Sequence, residues 1–85
     1  MQTITTAGPA WDTYLYALKA LELAEHSYAA YSARELPADA TNYEVRRAGQ
    51  LTTCAHNALV NARRAVIDAR RAYLLALELE DQATA

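Results

Sequence analysis

The chain has 85 residues, which is enough for one domain whose own core is small. It contains 20 Ala but only two Gly, two Pro, three Val and two Ile, so the composition favours helices and argues against a sheet. A formal net charge of −2 gives no general preference for nucleic acid or an anionic membrane. One Cys excludes an internal disulfide. Because neither a signal peptide nor a membrane-spanning apolar run is recognisable, we expect a cytoplasmic protein.

The first periodic segment predicts a helix over residues 9–34. Residues 1–8 carry no periodic pattern and are expected to form a flexible tail. Gly8-Pro9 marks the start, because a proline at the first helical position lacks only an N–H that would have no partner there. The apolar positions that follow recur at helical spacing on one face: Trp11, Tyr14, Leu18, Leu21 and Tyr28.

A break over residues 35–41 separates this helix from a longer one that is predicted over 42–81. Pro37 disfavours helical geometry at the residue before it and cannot donate a hydrogen bond to the preceding turn. Thr41 and Glu44 then have the spacing of a capping box, in which each side chain accepts a hydrogen bond from the backbone N–H of the other residue.

The second helix carries small apolar residues in alternating steps of three and four over more than four heptads, which is typical of a left-handed coiled coil. Most of them are Ala, which lets neighbouring helix backbones approach closely. Gly49 could mark a kink, but we expect the helix to continue through it. We call these positions the predicted Ala seam: Ala48, Leu51, Ala55, Ala58, Ala62, Ala65, Ala69, Ala72, Ala76 and Leu79.

The short connection predicts that the two helices are antiparallel neighbours. If the end of the first helix is placed opposite the start of the second, Tyr28 lies against Ala48 and Tyr14 against Ala62, so that large residues meet small ones. In this register the first helix ends opposite about Val66. The apolar residues beyond that point then have no partner within the hairpin.

We expect a second chain to bury these unpartnered apolar residues, because leaving one large apolar side chain exposed forgoes about 1.5–3 kcal/mol. We therefore predict an all-α fold, an antiparallel helical hairpin with a long Ala-rich second helix that dimerises into a four-helix bundle. The alternative is a different protein that supplies the missing helices. The predicted interface residues are Val60, Ile67, Tyr73, Leu74, Leu77 and Leu79, with Tyr16 and Tyr31 on the first helix.

The residues that could bind a metal are few and poorly placed for one. Glu22 and His26 share a helix face, but Cys54 and His56 are two residues apart and point in different directions on a helix. No nucleophile–base pair or Gly-rich phosphate loop is recognisable. We expect no metal site, no cofactor and no enzyme activity.

Two Arg pairs give the second helix a basic stripe, formed by Arg63, Arg64, Arg70 and Arg71, that could contact an acidic partner. Asp68 interrupts the stripe and has the spacing to pair with Arg64 and Arg71, so a solvated face with ion pairs is the simpler interpretation.

These features favour a non-catalytic protein–protein interaction module, such as a small accessory, adaptor or inhibitor protein of a bacterium or its phage. The expected partners are a second copy of the chain and another protein, whereas nucleic acid and membranes are not expected. The alternatives are a small-molecule binder that uses the bundle interior and a nucleic-acid binder that uses the Arg stripe.

Overall fold

The computed structural model describes residues 7–84, which form two helices joined by a connector. Helix α1 spans Ala7–Ser32 and helix α2 spans Asn42–Thr84. The helices pack side by side in an antiparallel hairpin, as predicted, and the molecule is a rod of 69 × 17 × 15 Å. Within residues 7–84, neither helix has an apolar stretch of the length and hydropathy needed to cross a bilayer.

Helix α1 begins two residues before the predicted start and ends two residues before the predicted end. Pro9 therefore lies in the first turn rather than at its first position, where its missing N–H still costs no helical hydrogen bond. The Thr13 hydroxyl donates to the Pro9 carbonyl oxygen at 3.0 Å. The predicted flexible tail lies mostly outside the described residues, and the part of it at residues 7 and 8 is helical.

Helix α2 begins at the predicted residue and extends three residues beyond the predicted end. The Thr41 hydroxyl accepts a hydrogen bond from the Glu44 N–H at 3.1 Å, which is one half of the predicted capping box. The reciprocal bond to the Glu44 carboxylate is not formed within residues 7–84. The helix is continuous through Gly49, whose backbone has no positive φ.

The contact between the helices is a heptad seam that differs from the predicted Ala seam in every second position. Ala55, Ala69 and Ala76 are buried as the prediction requires, but Ala58, Ala65, Ala72 and Leu79 are exposed. Leu59, Val66 and Tyr73 take the positions next to the exposed alanines, which buries more apolar surface per turn. The observed seam of α2 is Ala48, Thr52, Ala55, Leu59, Ala62, Val66, Ala69, Tyr73 and Ala76, and that of α1 is Ala7, Ala10, Tyr14, Ala17, Leu21, Ala24 and Tyr28.

The predicted register of the two helices is wrong by about ten residues. Tyr28 contacts His56 instead of Ala48, with ring centroids 5.6 Å apart, and Tyr14 lies 6.2 Å from Tyr73 instead of against Ala62. At the open end, the Ala7 N–H donates to the Glu80 carboxylate at 3.1 Å. The C-terminal half of α2, which was expected to lack a partner in the hairpin, therefore packs on the first half of α1.

The connector explains this shift, because residues 33–41 run alongside the start of α2 instead of closing a tight turn. Leu36 is half-buried and lines a groove together with Ala48 and Leu51 of α2. Extended geometry is favoured at Leu36 because proline follows it, and the Ala40 N–H closes a turn onto the Pro37 carbonyl at 3.0 Å. The connector thus lies beside the first turns of α2, which α1 does not reach, and the surplus length of α2 lies at its N-terminal end.

Candidate interaction face

Three aromatic rings form a cluster across the seam near the open end of the hairpin. The ring of Trp11 lies 5.1 Å from that of Tyr73 and 5.9 Å from that of Tyr14, all between centroids. Aromatic pairs at such distances contribute about 0.5–1.5 kcal/mol beyond the area that they bury. Trp11 is nevertheless 42% exposed, so its ring covers one flank of the seam and remains open on its outer side.

The exposed side of the Trp11 ring belongs to an apolar face that runs along that flank of the seam. On α1, Leu15 and Leu18 lie four and seven residues after Trp11, so they share its side of the helix. On α2, Arg70 and Leu77 adjoin Tyr73 on the side that Trp11 contacts. A further row of α2 residues, which contains Val60, Ile67 and Leu74, lies beside them on the side away from the seam. We define the Trp11 face by its exposed apolar residues: Trp11, Leu15, Leu18, Val60, Ile67 and Leu74.

The register brings the two halves of this face to the same level along the rod. Because Trp11 contacts Tyr73 and Tyr28 contacts His56, Leu15 and Leu18 lie level with residues 66–72 of α2. An open groove of about 250 Å³ on the α2 half is lined by Ile67, Arg70, Arg71 and Leu74.

Charged residues occupy the same face in two opposed groups. Glu22 and Glu25 continue the α1 rows that contain Leu15 and Leu18, since each lies seven residues further on. Arg63 and Arg70 lie between the apolar residues of the α2 half. All four side chains are exposed, and none forms an ion pair within residues 7–84. The α1 side of the face is therefore acidic and the α2 side is basic.

The opposite flank of the seam has a different character, and we call it the Ala face. Its α2 half consists of the outer members of the predicted Ala seam, from Ala58 to Leu79, together with Leu75, which is 56% exposed. Its α1 half carries Ala20 and, further out, Tyr16 and Leu23. Its centre consists mainly of small, uncharged residues.

The predicted interface residues are divided among these surfaces. Val60, Ile67 and Leu74 lie on the Trp11 face, with half-buried Leu77 beside them. Tyr73 lies in the seam and is half-buried by α1. On the Ala-face side are Leu79 and Tyr16, which is 77% exposed, while Tyr31 lies near the end of α1.

The exposed side chains of Trp11 and Leu18 were missed at the sequence level, because both were assigned to the buried face of α1. The residues that do face α2 follow a strict alternation of three and four from Ala7 to Tyr28, through Ala10, Ala17 and Ala24. A heptad pattern anchored on these alanines would have placed Trp11 on the flank.

The predicted ion pairs of the Arg stripe are not formed. Asp68 contacts neither Arg64 nor Arg71 within salt-bridge distance, and all the stripe's guanidinium groups are exposed. Spacing along a helix permits such pairs, but their small net free energy does not hold two long side chains together on an open surface.

The grooves found along residues 7–84 are open to solvent rather than enclosed. A second groove, of about 240 Å³, lies open beside the connector and is lined by Arg34, Leu36, Tyr43, Glu44, Arg47, Ala48 and Leu51. Over the described part of the chain, no three His, Cys, Asp or Glu side chains come together as metal ligands. Of the four residues considered for a metal, His56 packs against Tyr28, and Cys54 is a free, exposed thiol.

Comparison with known proteins adds no family to this description. No protein-family model matches the chain, and neither a curated protein nor a solved structure shows significant similarity to it. Its function is therefore inferred from the surface of the hairpin itself.

Proposed function

We propose that the chain is a non-catalytic protein–protein interaction module that acts as a homodimeric helical hairpin. The observation that carries this proposal is the excess of surface. A compact monomer of 9.4 kDa exposes about 5000 Å² by the general relation between mass and surface, whereas this chain exposes 6903 Å². The excess is larger than the roughly 800 Å² that each partner buries in a standard interface.

Much of this surface is apolar. Leu59 is the one large apolar side chain that is buried among the described residues, whereas 13 others are exposed. Two helices in contact bury one stripe each, so the remaining apolar rows need further helices to cover them. A second copy supplies two helices at once and would complete a four-helix bundle.

Within this proposal, the dimer presents its remaining faces and its Tyr-bearing ends to another protein. A small cytoplasmic accessory, adaptor or inhibitor protein of a bacterium or phage would have this form. Exposed tyrosines such as Tyr43, near the connector, suit such a role because they combine a large rigid ring with a hydroxyl group.

The test is the mass in solution, measured by light scattering or sedimentation equilibrium at tens of micromolar. We expect a species close to twice 9.4 kDa. A single species of 9.4 kDa over that concentration range would exclude the homodimer.

The Arg stripe favours a second candidate function, the binding of nucleic acid or another polyanion. Its four guanidinium groups are exposed and free of intramolecular ion pairs in the described part of the chain. This candidate predicts duplex binding that weakens steeply with added salt. The small-molecule alternative receives less support, because both grooves described above are open surface features.

A further inference from the structure

We infer that the second copy docks on the Trp11 face, with the two-fold axis parallel to the rod, so that α1 of each copy packs on α2 of the other. This inference rests on the proposed homodimer and adds to it the face and the relative orientation of the two hairpins. It depends on where apolar residues and charges lie along the rod.

The apolar residues of this face complement each other under such an axis. Rotation about an axis parallel to the rod keeps every residue at its own level and exchanges the positions of α1 and α2. The α1 residues Trp11, Leu15 and Leu18 then meet residues of the second copy that lie at the same level. These are Ile67 and Leu74, with the aliphatic stem of Arg70 between them. All neighbouring helices are antiparallel in this arrangement, as in up-down four-helix bundles.

The charges agree with the same orientation. Glu22 and Glu25 lie level with residues 59–65 of α2, as the register of the aromatic contacts requires. In the dimer they therefore face Arg63 of the second copy, an unpaired cation meeting unpaired carboxylates. A two-fold axis perpendicular to the rod would instead place α2 on α2 and bring the two Arg stripes together, and like charges in opposition disfavour that arrangement.

The Ala face is the competing docking surface, and a matched pair of substitutions separates the two. Leu74 and Leu75 are neighbours on α2 with similar exposed fractions, 50% and 56%, but they lie on opposite flanks of the seam. We expect Leu74→Glu to weaken the dimer about 100-fold, because a charged carboxylate would replace an apolar side chain in the desolvated interface. Leu75→Glu should leave the dissociation constant within about threefold, as expected for a surface substitution.

A charge exchange tests the orientation independently of the apolar substitutions. We expect Glu25→Arg and Arg63→Glu each to weaken the dimer about tenfold, and the double variant to recover to within about threefold of the wild-type chain. Dissociation constants would be measured by sedimentation equilibrium at low salt, with circular dichroism to verify that helix content is retained.

The outcomes distinguish this inference from the function on which it rests. A wild-type chain that is monomeric overturns the homodimer and the docking face together. A wild-type dimer that is broken by Leu75→Glu and tolerates Leu74→Glu keeps the proposed function but moves the interface to the Ala face. Loss of the dimer in the double charge variant would overturn the proposed orientation.

Discussion

Leu59 and the ring cluster around Trp11 contribute differently to the hairpin. Leu59 is only 4% exposed and lies in the middle of the seam, where it is enclosed by α1. The rings of Trp11, Tyr14 and Tyr73 close the seam near the open end, where each ring keeps part of its surface in water. Buried apolar area at Leu59 thus supports stability, whereas the exposed part of Trp11 is available to a partner.

Leu59→Ala should therefore be the most costly truncation of an α2 side chain. We expect it to lower the free energy of unfolding by about 2–3 kcal/mol, since it removes buried methylene groups and leaves a cavity. Denaturant titration followed by circular dichroism measures the change. Leu23→Ala, which truncates an exposed leucine of α1, is the control and should change stability by less than about 0.5 kcal/mol. Equal losses in the two variants would contradict the burial assigned to Leu59.

At the scale of the helices, local sequence signals predicted where the two helices lie in the chain. They did not predict the register in which the helices pack against each other. Thr41 and Pro37 located the start of α2 and the break before it, because capping and proline geometry act over only a few residues. The register depends on contacts between distant residues, such as Tyr14 with Tyr73, and on the path of the connector. The packing of Leu36 against α2 has no periodic signature, so the sequence alone favoured a tight turn and the wrong pairing.

The sequence drew attention to the α2 half of the Trp11 face but not to its α1 half. The α2 residues Val60, Ile67 and Leu74 stood out because they repeat every seven residues beside the Ala seam. On α1, Trp11 and Leu18 recur at helical spacing with Tyr14 and Leu21, so the pattern of large apolar residues assigned all four to the same face. Small residues can define a helix contact when the opposing helix supplies the large ones.

Gly49 lies inside α2 in ordinary helical geometry, and beyond its chain neighbours and the adjacent helix backbone a Cβ atom added there would meet nothing within 4 Å. Gly49→Ala should therefore stabilise the chain by about 0.5–1 kcal/mol, because alanine restricts the unfolded chain and favours the helix. The midpoint of thermal unfolding should rise accordingly. Gln50→Ala, at the exposed neighbouring position, serves as the control and should have a smaller effect. A destabilised Gly49→Ala variant would mean that this position contacts something in the assembled protein.

For the whole molecule, the rod shape decides how stability is distributed. A rod 69 Å long and 17 Å wide has little interior. Within residues 7–84, Leu59 is the one large apolar side chain that is buried. A chain of this size on its own has a marginal core, and association is one of the usual ways to supplement it. Assembly and folding are thus coupled under the proposed function.

This coupling predicts that the thermal midpoint depends on protein concentration. If the dimer is the folded form, raising the concentration a hundredfold favours it by about 2.7 kcal/mol, because association follows mass action. We expect the midpoint to rise by several degrees over that range in scanning calorimetry. Leu74→Glu should show a much weaker dependence. A midpoint that stays constant in the wild-type chain would indicate that the isolated hairpin carries all of the stability.

The hydrogen bond from Ala7 to Glu80 places the beginning of α1 beside the end of α2, while the connector lies at the other end of the rod. The two helices could therefore be connected in the opposite order without a change in the way they pack. A short linker from the end of α2 to the start of α1, combined with new termini near Pro37, would give a circular permutant with the same seam. The same proximity would let two copies be joined in tandem, so that the dimer becomes a single polypeptide whose assembly no longer depends on concentration.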